Sequence, residues 1–244
     1  MYIWRMETLF LRKIVIVGKN KLERFAELET LPNTLQPKLE NWADVFEHKG
    51  HWNKNVFKND NPIVLEIGCG KGEYTIGMGR QYPNKNFIGI DRKGARIWRG
   101  AKTAHEEGIS NVRFLRIHLD KIAQFFGPGE VSEIWITFPD PQPQKSRMRK
   151  RLTAPGFLNR YKHILATEGI IHLKTDSQAL HEYTLEVIAE EGHKLLFKTN
   201  DLYQNPENQN DPILGIKTFY ETMFLEQGLP ITYLKFQLDN KQIW

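Results

Sequence analysis

From Pro62 onward, short apolar runs alternate with stretches of helical periodicity. Ile63-Val64-Leu65-Glu66-Ile67 reads as a buried strand, Glu73 to Gln81 as a helix, Asn86 to Ile90 as a strand and Lys93 to Glu107 as a helix. Val112 to Ile117 and Glu133 to Phe138 read as further strands. Gly169 to Lys174 follows as a strand, Ser177 to Glu191 as a helix and His193 to Phe197 as a strand. This alternation predicts an α/β fold with a mostly parallel, doubly wound sheet and helices on both faces. The late region departs from it, with a polar loop over Asn200 to Pro212 and an extended stretch over Ile213 to Phe224. Residues 1–60 carry no regular pattern and hold the Asn-rich run Asn53 to Asn61. They read as an N-terminal extension, packed on the core or partly mobile, ahead of one domain over 61–244.

Composition narrows the class. Forty per cent apolar residues fit a globular protein, and the one cysteine, Cys69, allows neither an intramolecular disulfide nor a cysteine zinc cluster. No metal site is expected. Leu9 to Val17 is interrupted by Arg12 and Lys13 and lacks a small-residue cleavage site, and no apolar run approaches the roughly 20 residues of a membrane span. The expectation is a cytoplasmic protein with no membrane partner, as a monomer or homodimer.

The first strand runs into Gly68-Cys69-Gly70-Lys71-Gly72 and then a helix, an arrangement that lets backbone approach a ligand closely. It is not a dinucleotide fingerprint, because the third glycine comes one residue early and Glu73 takes its place. Nor is it a P-loop, which needs Lys-Ser or Lys-Thr. What remains is E-x-G-x-G-x-G, with Glu66 just before the glycines. An acid there repels a pyrophosphate but suits the ammonium of an amino acid. Asp91 ends the second strand, about 20 residues past the last glycine, where a carboxylate can accept from both ribose hydroxyls. An adenosine carrying an amino acid, as in S-adenosylmethionine, satisfies both acids. The alternative is that Glu66 caps a turn and Asp91 caps the next helix. His118 follows the third strand, at the adenine end of such a site or in a structural role. Cys69 reads as a small buried residue rather than a nucleophile.

Phe138-Pro139-Asp140-Pro141-Gln142-Pro143 closes another apolar run, so Asp140 falls outside the carboxyl end of a strand, where open α/β sheets bind ligands. Lys145, Arg147, Arg149, Lys150 and Arg151 follow at once. The formal net charge of the whole chain is +5, so these five cations leave the remainder near neutral. Positive charge concentrated beside a candidate site points to a polyanion, with a solvated basic turn as the alternative.

Together, E-I-G-C-G-K-G, G-I-D-R-K, F-P-D-P-Q-P, K-T-D and T-F-Y-E resemble the bacterial tRNA (guanine-N7-)-methyltransferases, and Gly18 to Lys21 with Arg24-Phe25-Ala26 resembles that family's opening. The resemblance implies a seven-stranded sheet of the class I S-adenosylmethionine-dependent methyltransferase type. It implies methyl transfer from S-adenosylmethionine to guanine N7 in the tRNA variable loop (position 46), with tRNA as partner. Carried over by position, it implies that Glu66, Gly68, Gly70, Asp91, His118 and Asp140 line the cofactor pocket and that Asp140 is catalytic. It further implies that Gln144 or Lys145, Asp176, Thr218, Phe219, Tyr220 and Glu221 contact the substrate; by their charge, Arg147, Arg149, Lys150 and Arg151 are expected to follow the RNA backbone. The chain departs from the family's P-D-P-W-P-K-K at Gln142 and Gln144, and His118 stands where Asn or Asp is usual.

Guanine N7 attacks with an existing lone pair, so such a site needs orientation more than a strong base. Asp140 suits this by accepting from guanine N1 and the exocyclic amine, donors that adenine does not present together. Asp176 is a second candidate for that role, or else the N-cap of the following helix. Thr218 to Glu221 offers an aromatic and a carboxylate that either stack on a base or close the sheet. Two other readings stay open: a methyltransferase acting on another RNA, and an RNA-binding module with an inactive cofactor site.

Overall fold

The computed structural model of the chain describes residues 21–38, 44–204 and 211–239. The motif residues Gly18 to Asn20, the leading residues 1–17 and positions 205–210 of the polar loop lie outside the described residues.

Five strands form the parallel centre of one sheet: β2 (Ile63–Ile67), β3 (Asn86–Asp91), β4 (Val112–Arg116), β5 (Val131–Thr137) and β6 (Leu165–Thr175). β7 (Lys194–Thr199) and β8 (Thr232–Gln237) complete one side, with β8 antiparallel between β6 and β7. With β1 (Thr34–Leu35), the described residues form a sheet of eight strands, in the order β1-β4-β3-β2-β5-β6-β8-β7, where seven were expected. The additional strand is β1 (Thr34–Leu35), a two-residue piece that pairs parallel with β4 at the far edge. Two residues carry no legible period, which is why the sequence pattern did not show it.

Period-2 alternation sorts the side chains to two faces. Ile63, Leu65 and Ile67 of β2 join one apolar cluster with Ile88, Ile90, Ile134 and Ile136. Val64 joins the opposite cluster with Phe87, Phe114 and Trp135. Helices cover both faces: residues 21–30 (α1), α2 (Glu73–Gln81), α3 (Gly94–Glu106), α4 (Pro155–Lys162), α5 (Gln178–Glu190) and α6 (Phe219–Glu226). Residues 44–61 have no core of their own and contribute to the main one. Trp52 is fully buried, stacks on Phe126 at 5.2 Å and donates from Nε1 to the Phe125 carbonyl at 2.8 Å. The asparagine run forms a polar plug: the Asn86 amide donates to Asn59 Oδ1 at 2.7 Å and to Asn53 Oδ1 at 3.0 Å.

Two elements correct the sequence expectation. Ile213 to Phe224 is not extended, since α6 begins at Phe219. The reason is a capping box in which the Thr218 side chain accepts from the Glu221 amide while the Glu221 carboxylate accepts from the Thr218 amide. The basic run is not a plain turn but a 3-10 helix over Lys145–Lys150 that leads to α4, whose start is marked by a proline in its first turn.

β2 lies between β3 and β5, so the chain reverses its direction of progress across the sheet at this point. That switch point opens a crevice at the carboxyl ends of β2 and β5. Among the described residues, no helix is long and apolar enough to cross a membrane.

Candidate functional site

The loop after β2 turns on alternate glycines. Gly68, Gly70 and Gly72 all have positive φ (+76°, +57° and +73°), a conformation that L side chains rarely adopt. Gly68 and Cys69 donate to the Ile90 carbonyl at 2.8 and 3.0 Å, fastening the loop to β3. A side chain at Gly72 would collide with the Phe114 ring at 2.4 Å, whereas one at Gly70 would meet nothing within 4 Å. Gly72 therefore serves packing, and Gly70 leaves room for a ligand against the backbone.

Glu66 lies beneath this loop and is 2% exposed. Its carboxylate accepts from the Thr75 amide at 2.8 Å, from the Thr75 hydroxyl, and from the Thr137 hydroxyl at 2.6 Å. Burial outweighs these donors and raises its pKa to about 7. Asp91 accepts from the Gly70 amide at 3.2 Å and the Lys93 amide at 2.8 Å, so it steadies the glycine loop and the turn into α3. It does not cap α3, whose N-cap is Lys93.

The turn after β5 carries Asp140. Phe138 and Gln142 flank it with φ of +46° each, positions that are strained for residues with side chains. Asp140 is exposed, and among the described residues its side chain makes one hydrogen bond, from the Gln142 amide at 3.0 Å. Asp140 lines a cleft of about 350 Å³ with Gly68, Asp91, His118 and Lys150. Gly68, Arg96 and Phe138 also border an adjoining pocket of about 90 Å³, lined by Glu66, Gly70, Thr218, Phe219 and Tyr220. The structure thus brings four separated sequence motifs, E-I-G-C-G-K-G, G-I-D-R-K, F-P-D-P-Q-P and T-F-Y-E, to one crevice. A groove of about 500 Å³ lies on the far side of His118, walled by Gln36, Lys38, Arg92 and Arg116, but it holds neither the glycine loop nor Asp140.

The residues expected at the substrate divide. Phe219 and Tyr220 are 60% and 49% exposed at the pocket mouth, and Lys71 Nζ lies 5.2 Å from the Phe219 ring centre. Phe219 is anchored by donating its amide to Glu73 at 3.0 Å. Glu221, expected at the RNA, is fully buried. It pairs with Lys174 Nζ at 2.8 Å and accepts from the Tyr203 hydroxyl. Lys174 also donates to the Leu214 carbonyl at 2.8 Å, and burial pulls its pKa down. The pair therefore joins K-T-D to T-F-Y-E inside the protein. No solvent-facing oxygen remains on Glu221 for an RNA. Thr218 is likewise buried as the cap.

Asp176 is half-buried and lines neither part of the cleft, and burial raises its pKa. It is not the cap of α5, since Ser177 Oγ accepts from the Leu180 amide at 3.3 Å. Gln144, Lys145, Arg147 and Arg149 are exposed on the 3-10 turn beyond the cleft wall. Arg151, expected along the RNA backbone, differs from the rest of the basic run: it is 7% exposed and turned inward to the Asp140 loop. Arg96, Thr75 and Thr137 escaped the sequence reading. Arg96 borders both parts of the cleft, but a lone arginine in a helix's first turn gives no sequence signal.

Among the described residues, no group of three or more His, Cys, Asp or Glu side chains could hold a metal ion. A family profile described as a putative methyltransferase matches residues 60–234. A tRNA (guanine-N(7)-)-methyltransferase of Christiangramia forsetii is 55% identical over 222 residues, covering 91% of this chain and 99% of its own. Relatives of the same name from Bacteroides fragilis and Bacillus subtilis are 51% and 38% identical, covering 92% and 78% of this chain and 88% and 92% of theirs. Among solved structures, the 16S rRNA methyltransferase KamB superposes with a TM-score of 0.57 at 15% identity, over 76% of this chain and 92% of its own. At that identity, the likeness concerns the fold alone.

Proposed function

The chain belongs to the bacterial tRNA (guanine-N7-)-methyltransferase family, which moves a methyl group from S-adenosylmethionine to guanine N7 of tRNA, and we propose that Asp140 is the residue that receives the guanine. The observation that carries this reading is the exposed Asp140 carboxylate, presented on a strained turn within the cleft that also holds the glycine loop and Asp91.

The residues present fit S-adenosylmethionine. Open space at Gly70 accommodates a ligand against the backbone, Asp91 offers a carboxylate for a ribose, and Glu66 lines the pocket with a pKa raised by burial to about 7, so that an ammonium bound there favours its charged form. In this reading Asp91 and the cleft at His118 hold the adenosine, while Gly68, Gly70 and the pocket over Glu66 hold the amino-acid end. S-adenosylmethionine supplies the methyl group on a positively charged sulfur. Asp140 accepts from guanine N1 and the exocyclic amine, which fixes N7 toward that methyl and offsets the positive charge gained by the purine. No proton leaves N7, so Asp140 acts through orientation and charge. Phe219 and Tyr220 present aromatic faces for a base beside the pocket. Lys145, Arg147, Arg149 and Lys150 meet phosphates. Within the extension over 1–60, residues 21–38 and 44–60 are seated on the catalytic domain that begins at 61, and the compartment is the cytoplasm, where tRNA is found.

Incubation with unmodified tRNA and methyl-labelled S-adenosylmethionine, followed by digestion to nucleosides, tests the reading. Label is expected in 7-methylguanosine, and the Asp140→Ala enzyme should lose it by about 10²-fold or more while still binding S-adenosylmethionine in calorimetry. Label in another nucleoside would overturn the acceptor, and undiminished turnover by Asp140→Ala would overturn the role of Asp140.

A further inference from the structure

Four of the five cations after the Asp140 loop face solvent, and the fifth does not. Arg151 donates from Nε to the Pro141 carbonyl at 3.0 Å and from Nη2 to the Gln142 carbonyl at 3.4 Å. Its guanidinium carbon lies 4.3 Å from the centre of the Tyr183 ring, on α5. The Arg151 amide is bonded to the Met148 carbonyl, and its own carbonyl accepts from Ala154 at the start of α4. One side chain therefore connects the two residues that follow Asp140 to the helical layer behind them.

We propose that Arg151 is a positioning residue for Asp140, clamping the acid-bearing turn by its carbonyls, and not a contact to the RNA backbone. The inference rests on Asp140 being the catalytic acid. Phe138 and Gln142 both occupy left-handed conformations, which are strained for residues with side chains and persist only where surroundings hold them. Phe138 is held from one side by donating its amide to the Lys174 carbonyl at 2.8 Å and by its ring against Phe224 at 6.1 Å. Past Asp140, the turn's own bond from the Gln142 amide is local, and Arg151 supplies the anchor from outside. The planar guanidinium suits this task because it forks to two carbonyls while its face lies on an aromatic ring. A lysine ammonium keeps the charge but cannot reproduce that geometry.

The test compares Arg151→Lys, Arg151→Ala and Tyr183→Leu with Arg147→Ala and Asp140→Ala. Single-turnover methylation at saturating tRNA and S-adenosylmethionine is read beside the salt dependence of tRNA binding. Both Arg151 variants should slow turnover by about 10 to 10²-fold, since misplacement by about 1 Å is enough for a loss of that size. Their salt slope should match the unaltered protein, whereas Arg147→Ala flattens it by about 0.7 to 0.9. Tyr183→Leu should show a smaller loss in the same sense. If Arg151→Ala does not fold, Arg151→Lys decides, because a phosphate contact would tolerate lysine and a clamp would not. Full turnover by Arg151→Lys, or a salt slope reduced in Arg151→Ala, would overturn the clamp. Inactive Asp140→Ala beside fully active Arg151 variants would overturn the clamp alone. Active Asp140→Ala would overturn the reading on which it rests.

Discussion

Glu66 shows how one residue's burial sets a measurable pH dependence. Its folded pKa of about 7 lies above the ordinary carboxylate value of 4.5, chiefly because burial penalises the charged form. The folded state therefore binds more protons than the unfolded chain between those values. The contribution is fully present below pH 4.5 and is lost as pH rises through about 7. Thermal melts of the ligand-free protein should show stability declining over that window relative to a Glu66→Gln variant, which has no proton to lose there. Parallel melting curves for the two proteins across pH 4 to 8 would show that Glu66 titrates normally. Glu133 behaves oppositely: against its own desolvation, the neighbouring His172 and the Lys85 ammonium at 2.6 Å hold its pKa near 2, so its contribution is present above pH 4.5 and lost as pH falls through about 2.

At the level of elements, α6 is placed by chemistry buried beneath it. Glu221, the acidic member of its capping box, is paired with Lys174 of β6, and both side chains are fully buried. Removing one partner strands the other charge, at a cost of about 3 to 5 kcal/mol, whereas an apolar pair of similar volume is often neutral. Lys174→Met should therefore destabilise strongly in urea unfolding, and Lys174→Met combined with Glu221→Leu should recover most of that loss. A double variant no more stable than the single one would mean that the carbonyl contacts of Lys174 to Leu214 and Ile216 dominate. The consequence reaches the site, because Glu221 lies on the helix that begins with Phe219 and Tyr220 at the pocket mouth. Sequence reading recognised T-F-Y-E but left it either to stack on a base or to close the sheet. The capping box that makes it a helix start was present in Thr218 and Glu221, three residues apart, and was masked by the apolar residues on either side.

Across the whole molecule, the formal charge of +5 is concentrated by the fold. Lys145, Arg147, Arg149 and Lys150 stand exposed on a 3-10 turn immediately beyond the Asp140 loop, and Lys150 reaches the cleft wall. Such a patch attracts a polyanion toward the crevice at the sheet's switch point. Replacing Arg147, Arg149 and Lys150 together by glutamine should weaken tRNA binding and flatten the log-log salt slope by about 2 to 3, at roughly 0.7 to 0.9 per phosphate contact. Filter binding from low to moderate salt reads this directly. An unchanged slope would reduce the patch to a solvated turn.

Local chemistry made part of this legible without a structure. Alternating apolar runs specified the parallel strands, because buried strands must be continuously apolar. The E-x-G-x-G-x-G loop, Asp91 and Asp140 announced a site because each lies just past a strand, and strand ends in such a sheet face one crevice. Tertiary structure alone decided which charged residues meet water. Glu221 and Arg151 look like their exposed neighbours in sequence, yet one is sealed against Lys174 and the other is turned onto Tyr183. Nothing in a local pattern separates them, because a charge is buried only where a distant part of the chain brings the partner that makes its burial tolerable.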